Sequence, residues 1–220
     1  MVRALGVVAV VMLATSQSAD ADILVLYADL HGGGMYGTGT GGDPAVKDQA
    51  FFANVPNVTY GFAVSARFLF LGATLQHHQY VGPGGRSSTD SMSSGGSFGT
   101  WTQLMAGLDF AVDLGGDKKP EKPNTGGFVH VSAKAGFGVG TGQQIRPPLS
   151  NDQIDDKAVL VGAQLAVGKH LNKLFDVGVT VPVTWGYFLK NGVPANDLSN
   201  HYQGIHAEAL VFLRLRLKVL

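Results

Sequence analysis

The first side chains in this sequence that could do chemistry are a histidine and a serine two residues apart, His130-Val131-Ser132. On an extended segment, residues two apart share a face. The pair would therefore set a base beside a hydroxyl, the start of a nucleophilic acyl-transfer site, which also needs an acid to orient the base. Ala133 follows the serine, and no acid partner is evident in the flanking sequence. His77-His78 offers two imidazoles, but neighbours on a strand point to opposite faces and no further ligands cluster nearby, so no metal site is expected. Gly32-Gly33-Gly34 and Gly37-Thr38-Gly39-Thr40-Gly41-Gly42 resemble phosphate-cradling loops only in composition. They lack the Gly-Lys-Ser/Thr ending and a following helix, and are expected to be a flexible loop. The chain has no cysteine, so thiolate sites and thiol nucleophiles are excluded. Nothing calls for a cofactor.

The elements that must position these residues follow from composition and pattern. With 220 residues the chain suits one domain. Lys+Arg and Asp+Glu each number 16, a balance that gives no basic patch for a nucleic-acid partner. Charged residues make up only 15%, against roughly 25% in ordinary soluble domains. Glycine reaches 31 residues, roughly twice the usual share. So little charge predicts that much of the exterior does not face water.

Residues 1–21 have the layout of a secretory signal. Arg3 precedes an apolar run from Ala4 to Ala14, and a polar spacer leads to Ala19-Asp20-Ala21, with cleavage expected after Ala21. The run is well short of the ~20 residues that span a bilayer as a helix.

From residue 22 to 220, apolar residues alternate with small or polar ones in about eight segments, the period of strands rather than helices. Leu24, Leu26, Ala28 and Leu30 alternate with Tyr27, Asp29 and His31, and Leu104, Ala106, Leu108 and Phe110 with Gln103, Gly107 and Asp109. Val129, Val131, Ala133 and Ala135 alternate with His130, Ser132 and Lys134, and Ile205, Ala207 and Ala209 with His206 and Glu208. Pro182 removes a ladder donor from the seventh segment and is expected to mark a bulge. Long connections fall at about 35–57, 81–99, 142–156 and 190–202, with short ones at about 66–69 and 170–175 and a medium turn at 114–126. Long loops on one side and short turns on the other predict an up-and-down transmembrane barrel with both termini on the short-turn side.

Alternation alone leaves the facing open. A soluble lipocalin-like barrel would put apolar residues inside and a charged surface outside. Here the other face is mainly Gly, Ser, Thr and Gln, a good lining for a narrow eight-stranded interior. Asp29, Gln76, Asp109, Lys134, Gln164, His206 and Glu208 are then expected to form a lumenal polar network, paired against the cost of burial. Arg214 and Arg216 share a face in the same way. Tyr60, Phe62, Phe68, Phe110, Phe128, Trp185 and Tyr187 fit aromatic girdles at the membrane interfaces.

On these features the chain resembles the small outer-membrane barrels of the OmpA-transmembrane-domain, OmpW and opacity-protein type. The resemblance implies an all-β single-domain barrel at 22–220, exported into a Gram-negative outer membrane. It also implies partners in outer-membrane lipid and lipopolysaccharide and in the barrel-insertion machinery, and a monomer. Such barrels typically end in an alternating segment with a terminal aromatic; this chain ends Leu213-Arg214-Leu215-Arg216-Leu217-Lys218-Val219-Leu220. His130 and Ser132 resemble the His-x-Ser element of outer-membrane lipid A deacylases, whose serine is usually followed by asparagine and whose pair must face lipid. The expected role is structural, surface-interacting or a narrow small-solute conduit, without catalysis. The alternatives are a lipid A deacylase-like esterase through His130 and Ser132, and a soluble periplasmic ligand-binding barrel. An apolar upper lumen would favour a conduit.

Overall fold

The structure, a computed structural model, describes residues 23–40, 57–82, 97–115, 126–146, 150–190 and 202–219. Its elements are β1 (Leu24–Thr40), β2 (Asn57–Phe68), β3 (Leu71–Gly82), β4 (Ser97–Leu114), β5 (Gly127–Arg146), β6 (Ser150–His170), β7 (Phe175–Lys190) and β8 (Tyr202–Lys218). Each strand pairs antiparallel with the next, and β8 returns to β1. The result is a closed eight-stranded barrel with no free edge.

Register fixes the shape. The ladder can be followed rung by rung from Val25 through Arg67, Gly72, Gly107, Lys134, Gly162, Thr184 and His206. It re-enters β1 at Gly37, twelve positions beyond its start. A large stagger at a fixed strand number means steeper strands and a wider interior.

Facing follows the period of two. Along β5, His130, Ser132 and Lys134 are buried, whereas Val131, Ala133 and Ala135 are exposed. Leu30, Phe62, Val64, Leu104, Leu165 and Val211 are likewise exposed. The barrel is dressed with its apolar residues outward. On β6 the outward stripe reads Val159, Val161, Ala163, Leu165, Val167, and exposed Lys157 and Lys169 bound it at either end.

Two tight turns close the short-turn end. Phe68 pairs with Leu71 across the two-residue turn Leu69-Phe70, where Leu69 takes a left-handed φ of 54°. Between β6 and β7, Asn172 Oδ1 accepts hydrogen bonds from the backbone N–H groups of Leu174 (2.7 Å) and Phe175 (2.8 Å). Val25 pairs with Lys218 at this same end.

Four expectations need correcting. Gly32-Gly33-Gly34 and Gly37 to Thr40 belong to β1 and not to a loop, because Gly32–Gly34 pair with both β2 and β8 and Gly37–Thr40 pair with β8. The connection expected at 142–156 is mostly strand: β5 runs to Arg146 and β6 starts at Ser150. Phe128 is inward and buried, as the parity of β5 requires, so it is no part of an outer girdle; Tyr60, Phe62, Phe68 and Trp185 are exposed. Pro182 makes no bulge. The ladder to β6 runs through Gln164↔Pro182 unbroken, and the pairing to β8 resumes at Val183↔Ala207 in the register it had at Thr180↔Leu210. The proline deletes a donor and one β6 neighbour holds the strand in place. Residues 1–21 and the charged segment 117–123 lie outside the described residues.

Candidate functional site: the polar column in the lumen

The inward residues of eight strands converge on a space that side chains must fill, and here most of them are polar or charged. They stack in tiers from the short-turn end upward.

At the end where the termini meet, His170 at the close of β6 places both ring nitrogens on carboxylates. Nδ1 meets Asp176 Oδ1 at 2.7 Å and Nε2 meets Asp113 Oδ1 at 3.1 Å. Arg216 Nε lies 3.4 Å from Asp176 Oδ2, and the Phe128 ring stacks on His170.

The next tier centres on Arg214. Its guanidinium donates from Nε and Nη2 to the two oxygens of Asp29, 2.8 Å each, a bidentate pair between the first and last strands. The same guanidinium lies 4.7 Å from the ring centroids of both Tyr27 and Phe212. Beside it, Asp109 bridges His130 Nε2 and Lys134 Nζ, the latter at 2.6 Å, and Lys134 also donates to Thr74 Oγ1 at 2.9 Å. Gly72 makes room for this bridge, since a Cβ there would overlap the Asp109 carboxyl. The tier contains Asp29, Asp109, Arg214 and Lys134, so its carboxylates and cations offset one another.

Hydrogen bonds line the wall above. Trp101 Nε1 donates to Gln103 Oε1 (3.0 Å), Gln103 Nε2 to Gln76 Oε1 (2.8 Å), and Gln164 Nε2 to Thr180 Oγ1 (2.8 Å). Glu208 reaches into the lumen between two imidazoles, 3.5 Å from His78 Nδ1 and 3.8 Å from His206 Nε2. His31 packs on His78 with ring centroids 4.9 Å apart. Above and beside this tier, Met35, Tyr80, Trp101, Met105, Ala158, Leu160 and Phe188 form a buried apolar cluster.

The seven residues expected in the lumen (Asp29, Gln76, Asp109, Lys134, Gln164, His206 and Glu208) all point inward in the structure, but they do not form one network. Asp29, Asp109 and Lys134 share a tier, Gln76 and Gln164 sit in separate wall pairs, and His206 with Glu208 belongs to the histidine tier. His130 does have an acid partner, Asp109, on the neighbouring strand rather than in its own sequence neighbourhood. With Ser132 it faces the buried interior, and its Nδ1 lies 3.4 Å from Arg214 Nη1. His31, His78, His170 and Asp176 are additions to the expected set, and Arg214, expected only to share a face with Arg216, proves central to its tier. Strand parity could have placed each of them inward; His170 meets Asp176 across the β6–β7 turn, whereas Arg214 finds Asp29 only because β8 closes on β1. The adjacent His77 points outward and hydrogen-bonds Thr102 Oγ1 at 2.8 Å.

No protein-family model matches the chain, and no curated protein matches its sequence. Among solved structures it is similar to Neisserial surface protein A, at 10% identity over 89% of this chain and 97% of that one, with a TM-score of 0.46. It is similar to Ail, the attachment invasion locus protein of Yersinia pestis, at 10% identity over 88% and 98%, with a TM-score of 0.41. The N-terminal β-barrel domain of Pseudomonas aeruginosa OprF matches at 12% identity over 88% and 97%, also with a TM-score of 0.41. No residue role is carried over from any of them.

Proposed function

We propose that this chain is an outer-membrane β-barrel whose interior is closed, serving as a membrane-embedded scaffold that presents its long connections at the cell surface. One observation carries the location. The barrel is apolar outside and charged inside, the reverse of a water-soluble barrel. Along β6 the exposed Lys157 and Lys169 that bracket the apolar stripe Val159–Val167 are twelve positions apart. At ~3.3 Å per residue and a tilt of about 45° these two charges stand about 28 Å apart across the barrel wall, which brackets the ~25 Å apolar band of such barrels. Outer-membrane lipid and lipopolysaccharide are then the partners of this face, and the barrel-insertion machinery places it there.

The closed interior argues for a scaffold. Two charged tiers and a buried apolar cluster are stacked in series in the lumen, which supports a closed interior. The apolar upper cluster favours a second role, admission of a small apolar compound from outside, if Trp101 and Phe188 part. Deacylation finds no support in the geometry, because His130 and Ser132 are turned away from lipid.

The test is fractionation with gel mobility before and after boiling, followed by conductance in a planar bilayer. A detergent-requiring, heat-shifting band with no steady conductance is expected. Recovery from the soluble periplasm would overturn the location, and a steady open conductance would overturn the plug.

A further inference from the structure

We propose that the short-turn end of the barrel is a binding surface for anionic phospholipid, with Lys169 and Lys173 of the β6–β7 hairpin meeting the headgroup phosphate and apolar turn tips seated beside them. It rests on the membrane location given above, which turns this end toward the periplasm and the phospholipid leaflet. The first observation is an excess of cation. Lys169, Lys173 and Lys218 are all exposed at this end. The carboxylates described there, Asp113 and Asp176, are both turned onto His170, and Arg216 lies beside Asp176 as well. Among the described residues neither Lys169 nor Lys173 is in an ion pair. An anionic leaflet attracts lysines held within a screening length of its surface.

The second observation is where apolar surface persists. Past Lys169 the outward stripe of β6 has ended, yet Leu171 and Leu174 in the turn are 49% and 47% exposed. Phe70, in the β2–β3 turn, is 51% exposed. Turns that face water are ordinarily polar. Apolar side chains interleaved with lysines suit a segment lying in the headgroup layer, with acyl carbon below and phosphate beside it. A free phosphate would account for the lysines alone; a lipid accounts for the leucines too. The third observation is that the hairpin is preset. The Leu171 N–H donates to the Phe175 carbonyl (2.8 Å), and Asn172 Oδ1 caps the turn. The Arg216 N–H donates to the Leu174 carbonyl (2.6 Å), which ties the turn to β8. Lipid contact would therefore have little backbone left to order.

The experiment reconstitutes the full chain in phosphatidylcholine vesicles carrying a trace of spin-labelled lipid. Electron spin resonance then compares the motionally restricted fractions of labelled phosphatidylglycerol and labelled phosphatidylcholine. Phosphatidylglycerol should associate about threefold more strongly, and the two should become nearly equal in about 1 M salt, where the screening length falls to ~3 Å. Lys169→Gln with Lys173→Gln should remove most of the preference. Lys157→Gln, at the opposite end of the same stripe, should keep it. All three lysines are exposed, and a retained heat shift shows that each variant is folded. Millimolar glycerol 3-phosphate should leave the preference unchanged. Equal association of the two lipids in the parent, an undiminished preference in the double variant, an equal loss in Lys157→Gln, or displacement by glycerol 3-phosphate would overturn this surface and leave the location standing. A parent chain that does not enter the vesicles would overturn both.

Discussion

Removing Arg214 should be among the most damaging single changes the lumen can suffer, and its cost can be worked from the structure. The guanidinium side chain is 5% exposed and that of Asp29 is 12% exposed, so the pair is well out of bulk water. Breaking a buried pair by deleting one partner costs about 3–5 kcal/mol, mainly because the other charge is left uncompensated. Arg214→Ala also forfeits the packing of the guanidinium against Tyr27 and Phe212, for which cation–π contact adds ~0.5–2 kcal/mol. Together these predict a loss of about 4–6 kcal/mol. Arg214→Met keeps much of the volume between the two rings and should lose about 3 kcal/mol. In the double variant Asp29→Asn with Arg214→Met the stranded charge is gone, so the loss should fall back to about 1–2 kcal/mol. The assay is urea unfolding in lipid vesicles, followed by tryptophan fluorescence and by gel mobility without boiling. A loss under ~1 kcal/mol for Arg214→Ala, or a double variant whose loss is the sum of the singles, would refute the reasoning; coupled neighbours should be strongly non-additive.

Three further outcomes are expected. Leu165→Arg puts a cation near the middle of the apolar stripe of β6 and should destabilise the lipid-inserted barrel by about 2–4 kcal/mol, with far less effect in detergent; equal losses in both would count against a lipid-facing surface. Leu69→Gly relieves the left-handed φ of 54° in the β2–β3 turn and should raise stability by about 1 kcal/mol in the same urea assay. Pro182→Thr restores a ladder donor opposite β8, where pairing lapses between Thr180 and Val183, and should slow hydrogen exchange at the facing amides of β8 while adding about 0.5–1.5 kcal/mol. Unchanged or faster exchange there would show that the gap has another cause.

What could be seen in the sequence was whatever is local to one strand. The period of two placed Asp109, His130 and Lys134 on one face and Val131 and Ala133 on the other, and the structure keeps every such parity. The charge shortage marked the polar face as interior. Residue type misled where it was weighed above parity: Phe128 looked like a girdle aromatic, yet two residues before His130 it had to point inward. Glycine-rich and polar stretches such as 32–40 and 142–156 looked like loops because they lack apolar alternation. An antiparallel ladder satisfies the backbone regardless of side chain, so strands can run on past the apolar band without any pattern to announce it.

The pairings themselves lay beyond local pattern, and the reason is the stagger. Asp29 and Arg214 are 185 residues apart in sequence, and they meet because β8 closes on β1 in one particular register. A slip of two residues in the β1–β8 ladder would keep every side chain on its face and still separate this pair. The lumenal charges therefore do something the alternation cannot. Hydrophobic dressing specifies which way each strand faces, but it is nearly indifferent to even-numbered slips on a uniform lipid surface. Bidentate geometry at Arg214 and the Asp109 bridge to His130 and Lys134 are satisfied in one register only. On this account the polar column selects the shear of the barrel, and the width that shear provides is what admits a column of this bulk.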